Sequence, residues 1–213
     1  LHHLFVDLVE RKTQFISTGK DNKTVVNFVE ELESKQGDRQ NIKQVSCDMS
    51  PAFIKGVKEN LPQAEITFDK FHIIKLINEA VDQVRREEVH GNPLLKGTRF
   101  IFLKNKANLT EKQKEIKASL SLAKLNLKSI RALQIRETFQ QIYQAETSEQ
   151  FEALLKRWYY WATHSQLAPM IKVAKTIKRH WDGILNWKKS QINNGILEGL
   201  NSVLQAAKRK ARG

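Results

Sequence analysis

The chain has 213 residues, 40% of them apolar and 28% charged, which suffices for one large or two small globular domains without covalent staples. Its single cysteine excludes a disulfide scaffold and a cysteine-based zinc site, and no apolar run approaches the ~18–20 residues that would span a bilayer. Lys and Arg outnumber Asp and Glu by 36 to 23, a net charge of +13, and the excess is uneven: residues 1–48 hold seven basic and eight acidic side chains, residues 170–213 ten and two. Such asymmetry favours a polyanionic partner, because cationic side chains displace counterions condensed on phosphates.

The first 70 residues alternate strand and helix signals. Residues 2–9 and 13–17 are β-rich runs separated by Glu10-Arg11-Lys12, a hairpin pattern. Val25, Phe28, Val29 and Leu32 have helical spacing over Thr24 to Leu32. Ile42 to Cys47 reads as a short strand ending at Asp48, and Ser50-Pro51 as an N-cap and first helical residue of a helix through Val57. Residues 64–68 form another strand, ending at Asp69. The pattern implies one mixed sheet holding all four strands, the last two parallel.

From Phe71 the period changes to 3.6. Ile73, Ile74, Ile77, Ala80, Val81 and Val84 form one apolar face of a long helix that breaks at Gly91-Asn92-Pro93. Residues 98–190 read as helices without strands, one opened by a capping box at Thr110-Glu111-Lys112-Gln113. All four Trp lie between Trp158 and Trp187, where they serve either as core of a helical subdomain or as stacking platforms for bases, with core the expected role. A last helix follows Asn193-Asn194-Gly195.

Three acidic positions suggest chemistry. Asp48, at the carboxyl end of a strand, stands where open α/β sheets bind ligands, so it is a metal ligand or a turn former. Glu198 shares a helix face with Asn201, Gln205, Lys208 or Arg209, and Arg212, so it sits at the head of a cationic stripe as a metal ligand or a cap. Asp69 and His72 are spaced to cap the long helix or to orient a phosphate or metal. If Asp48 and Glu198 serve one site, the intervening helices are an insertion into the α/β domain.

Taken together, Val45-Ser46-Cys47-Asp48-Met49-Ser50-Pro51, Leu61-Pro62-Gln63-Ala64, Phe68-Asp69-Lys70-Phe71-His72, residues 80–87, Leu95-Lys96-Gly97-Thr98-Arg99-Phe100, Asn194-Gly195-Ile196-Leu197-Glu198-Gly199 and the basic end resemble the transposases of the ISL-three insertion-sequence family. The resemblance implies a ribonuclease H-like mixed sheet with a large all-helical insertion: residues 1–90 as the first part of the catalytic core, 91–190 as the insertion, and 191–213 as the final core helix with its basic tail. It implies an Asp, Asp, Glu triad in which Asp48 is the second acid and Glu198 the third, both binding Mg²⁺ or Mn²⁺, with Asp69 and His72 catalytic or supporting. The family's first Asp lies on a strand upstream of His2. Asp7 does not match it, so this chain reads as a truncated core, inactive alone. The implied activity is cleavage of insertion-sequence ends and strand transfer into target DNA. Double-stranded DNA is the expected partner, with Lys208, Arg209, Lys210 and Arg212 on the phosphates, and Lys172, Lys175, Lys178 and Arg179 as a second cationic set. A homo-oligomeric active complex, a cytoplasmic, nucleoid-associated location and no membrane contact complete the expectation. A transposase-derived DNA-binding protein without catalysis and a ribonuclease H-like nuclease are the alternatives.

Overall fold

The computed structural model describes residues 2–7, 10, 12–18, 22–121 and 125–190. It divides into two compact units, Leu1–Asp69 together with the stretch from Asp182 onward, and Lys70–Trp181.

In the first unit, β1 (His2–Asp7) and β2 (Lys12–Thr18) form an antiparallel hairpin with a register shift between Phe5 and Val6. Helix α1 (Lys23–Ser34) follows, then β3 (Gln44–Cys47), α2 (Pro51–Asn60) and β4 (Glu65–Phe68). Strands β3 and β4 are parallel, as a helical crossover requires, in the register Gln44↔Glu65 to Cys47↔Phe68.

The expectation of one four-stranded sheet needs correction. Among the described residues there are two two-stranded sheets, β1–β2 and β3–β4, with no ladder between them. Packing joins them instead: Val25 and Val29 of α1 with Val57 and Leu61 form a buried cluster, and Phe5 of β1, Val45 of β3 and Ile66 of β4 all pack against it. Phe5 also stacks on Phe28 with ring centroids 4.4 Å apart. Side chains from both sheets thus share one apolar core, although among the described residues no ladder joins their strands.

The second unit is helical throughout its described residues. It runs through α3 (Lys70–Glu88), α4 (Arg99–Leu103), α5 (Glu111–Leu120), α6 (Lys128–Ile142), α7 (Ser148–Thr163) and α8 (Ala168–Arg179). The apolar face read from the sequence is the buried face of α3: Ile73, Ile77, Ala80, Val81 and Val84 are all buried, with Ile74 at its margin. It packs on α6 and α8. The capping box forms as expected, Thr110 Oγ1 accepting from Gln113 N–H and Gln113 Oε1 from Thr110 N–H.

Two polar groups tie this unit together. Glu88, at the end of α3, accepts from the amides of Lys128 and Ser129 at 2.8 and 2.7 Å and so caps α6, whose own N-cap residue is Leu127. Buried Arg136 donates to the carbonyls of Leu103 and Lys104 and to Asn105 Oδ1, neutralising the negative end of α4. The aromatic run divides by depth: Trp158 is buried, edge-on to Phe139, and donates Nε1–H to Ile135 O at 2.8 Å, whereas Tyr160 and Trp161 are exposed.

Helix α9 (Trp181–Ser190) returns the chain to the first unit. Gly183 lies directly against the ring of Phe68, Asn186 Nδ2 donates to Ile66 O at 3.0 Å, and Ser190 Oγ lies 3.3 Å from Thr67 Oγ1. The helix thereby covers β4, giving a strand carbonyl a partner that would otherwise be water.

Candidate active site

Asp48 follows Cys47, the last paired residue of β3, and is half-buried. Its Oδ1 accepts from the amide of Ser50 at 2.9 Å, an Asx turn that leads the chain into α2. Pro51 is the first residue of that helix, where its missing N–H costs nothing. Ser50 occupies the N-cap position as expected, but its hydroxyl makes no capping bond; the carboxylate two residues earlier organises the turn instead. Asp48 therefore does the turn-forming work through one oxygen, while its Oδ2 has no hydrogen-bond partner among the described residues.

Asp69 stands at the matching place on the neighbouring strand. Its N–H donates to Cys47 O at 3.0 Å, extending the parallel ladder by one rung beyond Cys47↔Phe68. Two aspartates thus occupy adjacent register positions at the carboxyl edge of a parallel pair. Sequence reading placed each at a strand end without joining them. The signal was available in two short strands, each closed by Asp, on either side of one helix.

This edge also governs Cys47. Its thiol is pushed up to about 12, by burial first and by the Asp48 carboxylate second. At neutral pH the thiol stays protonated in the metal-free chain and is a poor nucleophile.

The donor set fits a hard divalent cation: carboxylate oxygens at a strand edge. Among the described residues no three His, Cys, Asp or Glu side chains gather into a metal-binding group. Two aspartates are a partial set of a kind that Mg²⁺ accepts, since it keeps several waters.

His72 lies exposed in the first turn of α3. Glu198 and the cationic tail residues Lys208, Arg209, Lys210 and Arg212 lie outside the described residues. Lys172, Lys175, Lys178 and Arg179 are all exposed on α8, and Lys178 Nζ sits 4.4 Å from the Trp181 ring centroid. No described helix is long and apolar enough to cross a membrane.

A family model described as transposase, that of the ISL-three group, matches residues 2–213. The chain is similar to the transposase for insertion sequence element IS1001 of Bordetella parapertussis, 28% identical over 216 residues covering 98% of this chain and 52% of that protein. It is also similar to the transposase for insertion sequence element IS1557 of Mycobacterium tuberculosis (strain CDC 1551 / Oshkosh), 25% identical over 245 residues covering all of this chain and 54% of the relative. The chain thus spans about half the length of the curated relatives it matches. No solved structure matches it.

Proposed function

The chain belongs to the ISL-three transposase family, and we propose that it carries part of the catalytic core that cuts insertion-sequence ends and joins them to target DNA by a DDE mechanism. The observation that carries this reading is the strand edge bearing Asp48 and Asp69. It is supported by the return of α9 to β4 after a long helical excursion, which brings the chain back to the α/β unit eight residues before Glu198. On this reading the first unit is a ribonuclease H-like core, the helices are an insertion within it, and residues 191–213 are the final core helix.

In the proposed site Asp48 and Glu198 hold Mg²⁺ or Mn²⁺, with Asp69 and His72 supporting. Divalent cations supply Lewis acidity at the scissile phosphate and lower the pKa of an attacking hydroxyl or water. The chain supplies position. Asp48 is fixed by its bond to the Ser50 amide and by the strand it ends, so its second oxygen is presented without rotamer freedom to lose. The exposed cations of α8, with Lys208, Arg209, Lys210 and Arg212, bind duplex phosphates independently of sequence. The active complex is a homo-oligomer in the cytoplasm, on the nucleoid.

The test uses the full-length protein containing this chain, with pre-cleaved element ends, target DNA and Mg²⁺. Wild type joins ends to target; D48N and E198Q bind the ends and join none. Hydrolysis without joining would mean a nuclease. Binding without any metal-dependent reaction would mean a DNA-binding derivative of a transposase.

A further inference from the structure

Two segments that contribute to the family resemblance, residues 80–87 and 95–100, have no place in the proposed metal site, yet the structure brings them together around one carboxylate. Asp82 on α3 is buried, its side chain 12% exposed. Its Oδ1 takes two bonds from Arg85, from Nε at 3.0 Å and Nη2 at 2.8 Å, which closes that pair. Its Oδ2 is shared by Arg86 of the same helix and Arg99 at the start of α4, whose Nε atoms lie 3.4 and 3.7 Å away. One negative charge therefore faces three positive ones.

The arginines differ in what remains to them. Arg85 is buried with its partner, while the side chains of Arg86 and Arg99 are 65% and 60% exposed. Both approach Asp82 through Nε, leaving their terminal amino groups without partners among the described residues. Those are the atoms with which a guanidinium makes paired bonds to phosphate oxygens. Exposed ion pairs contribute little to stability, so fold stability is a weak reason for gathering two exposed arginines here.

The surroundings suit an anion. Residues 91–110 contain Lys96, Arg99, Lys104 and Lys106 and no acidic residue. Of the acids that follow Arg86, Glu88 is taken up in capping α6, whereas Glu87 accepts from the neutral amide of Gln83 and keeps its charge. Arg99 is also presented by a defined turn, in which Gly97 takes φ +75° and Thr98 Oγ1 donates to Leu95 O at 2.6 Å. A side chain at Gly97 would strain that backbone.

We propose that Arg86 and Arg99 form a phosphate clamp for the backbone of duplex DNA, and that Asp82 is a positioning residue holding the two guanidinium groups side by side. The proposal rests on the reading that this chain handles DNA, and it assigns part of that contact to the helical unit.

The test measures duplex binding by this chain across salt concentrations, on two unrelated DNA sequences, for wild type, R86Q, R99Q, the double variant, R99K and the charge-matched control K112Q at an exposed lysine of α5. R86Q and R99Q should each lower the slope of log affinity against log salt by about one, equally on both sequences, and the double variant by about two. K112Q should leave the slope near wild type. R99K, which keeps the charge but loses the fork, should bind more weakly than wild type. D82N removes a negative charge beside the arginines, so a purely electrostatic role predicts tighter binding; the clamp predicts weaker binding from a chain whose circular dichroism is unchanged. If D82N does not fold, the exposed R86Q and R99Q variants still decide the clamp. Arginine variants indistinguishable from K112Q, in a wild type that binds DNA, would overturn the clamp alone. A wild type that binds no DNA would overturn the clamp and the DNA reading together.

Discussion

Asp48 and Asp69 are separated by 21 residues in sequence and by one inter-strand step in space, because the Asp69 amide bonds to the carbonyl of Cys47, the residue before Asp48. Parallel strands set side by side point equivalent residues the same way, so whatever one aspartate serves, the other is placed to support.

The first prediction follows from that pairing. In the full-length protein, D48N should reduce Mg²⁺-dependent joining to background while D69N, as a supporting change, should lower it by about 10–100-fold. Duplex affinity should be retained in both. Equal activity of D69N and wild type in a joining assay would remove Asp69 from the site.

Cys47 provides a reporter for the same edge. Its folded value of about 12 lies above the ordinary 9.0, so the protonated thiol favours the folded state. That contribution is complete below pH 9 and is lost as pH rises from there toward 12. C47A should therefore flatten the alkaline limb of a stability against pH curve. At pH 8.5 the wild-type thiol should resist alkylation. D48N should speed it modestly, because the smaller of the two causes has been removed while burial remains.

Arg136 is a buried cation held by a set of helix-end carbonyls, with the Glu137 carboxylate also favouring its charge. R136M keeps much of the volume and leaves those acceptors without a donor. The cost should be about 2–4 kcal/mol, read from urea unfolding monitored by tryptophan fluorescence. R136K should recover only part, since one ammonium cannot reach every acceptor of the fork. Unfolding of R136M at the wild-type midpoint would show that water replaces the guanidinium freely.

Gly183 reports the docking of α9 on β4. A methyl there would enter the edge of the Phe68 ring, which is 5% exposed and has little room to turn away. G183A should therefore cost about 1–3 kcal/mol, against the gain of a few tenths to 1 kcal/mol that alanine brings to an unobstructed helix site. The double variant with F68L should recover part of the loss. A G183A protein more stable than wild type would show that α9 does not press on the strand that ends at Asp69.

What the sequence determined by itself is local and periodic. The alternation of strands and helices before residue 70, the switch to a 3.6 period at Phe71, the capping box at Thr110 and the strand-end position of Asp48 all follow from residues within a few places of one another, where backbone sterics and burial of one face settle the outcome. The family could be recognised for a related reason: its separated motifs recur in order along the chain, whatever their arrangement in space.

Tertiary structure alone decided which elements meet. Asp69 beside Asp48, Glu88 as the cap of α6, Arg136 at the end of α4 and Arg99 beside Asp82 each depend on a contact between distant segments. The sheet shows the same division. Its strands are written in β-branched runs, but whether two strands share a ladder or only a core depends on which neighbour reaches an open edge, and here β1 and β3 meet through Phe5, Val45 and the α1–α2 cluster. Periodicity tells a side chain whether to be buried; only the assembled backbone supplies the hydrogen-bond partner it finds there.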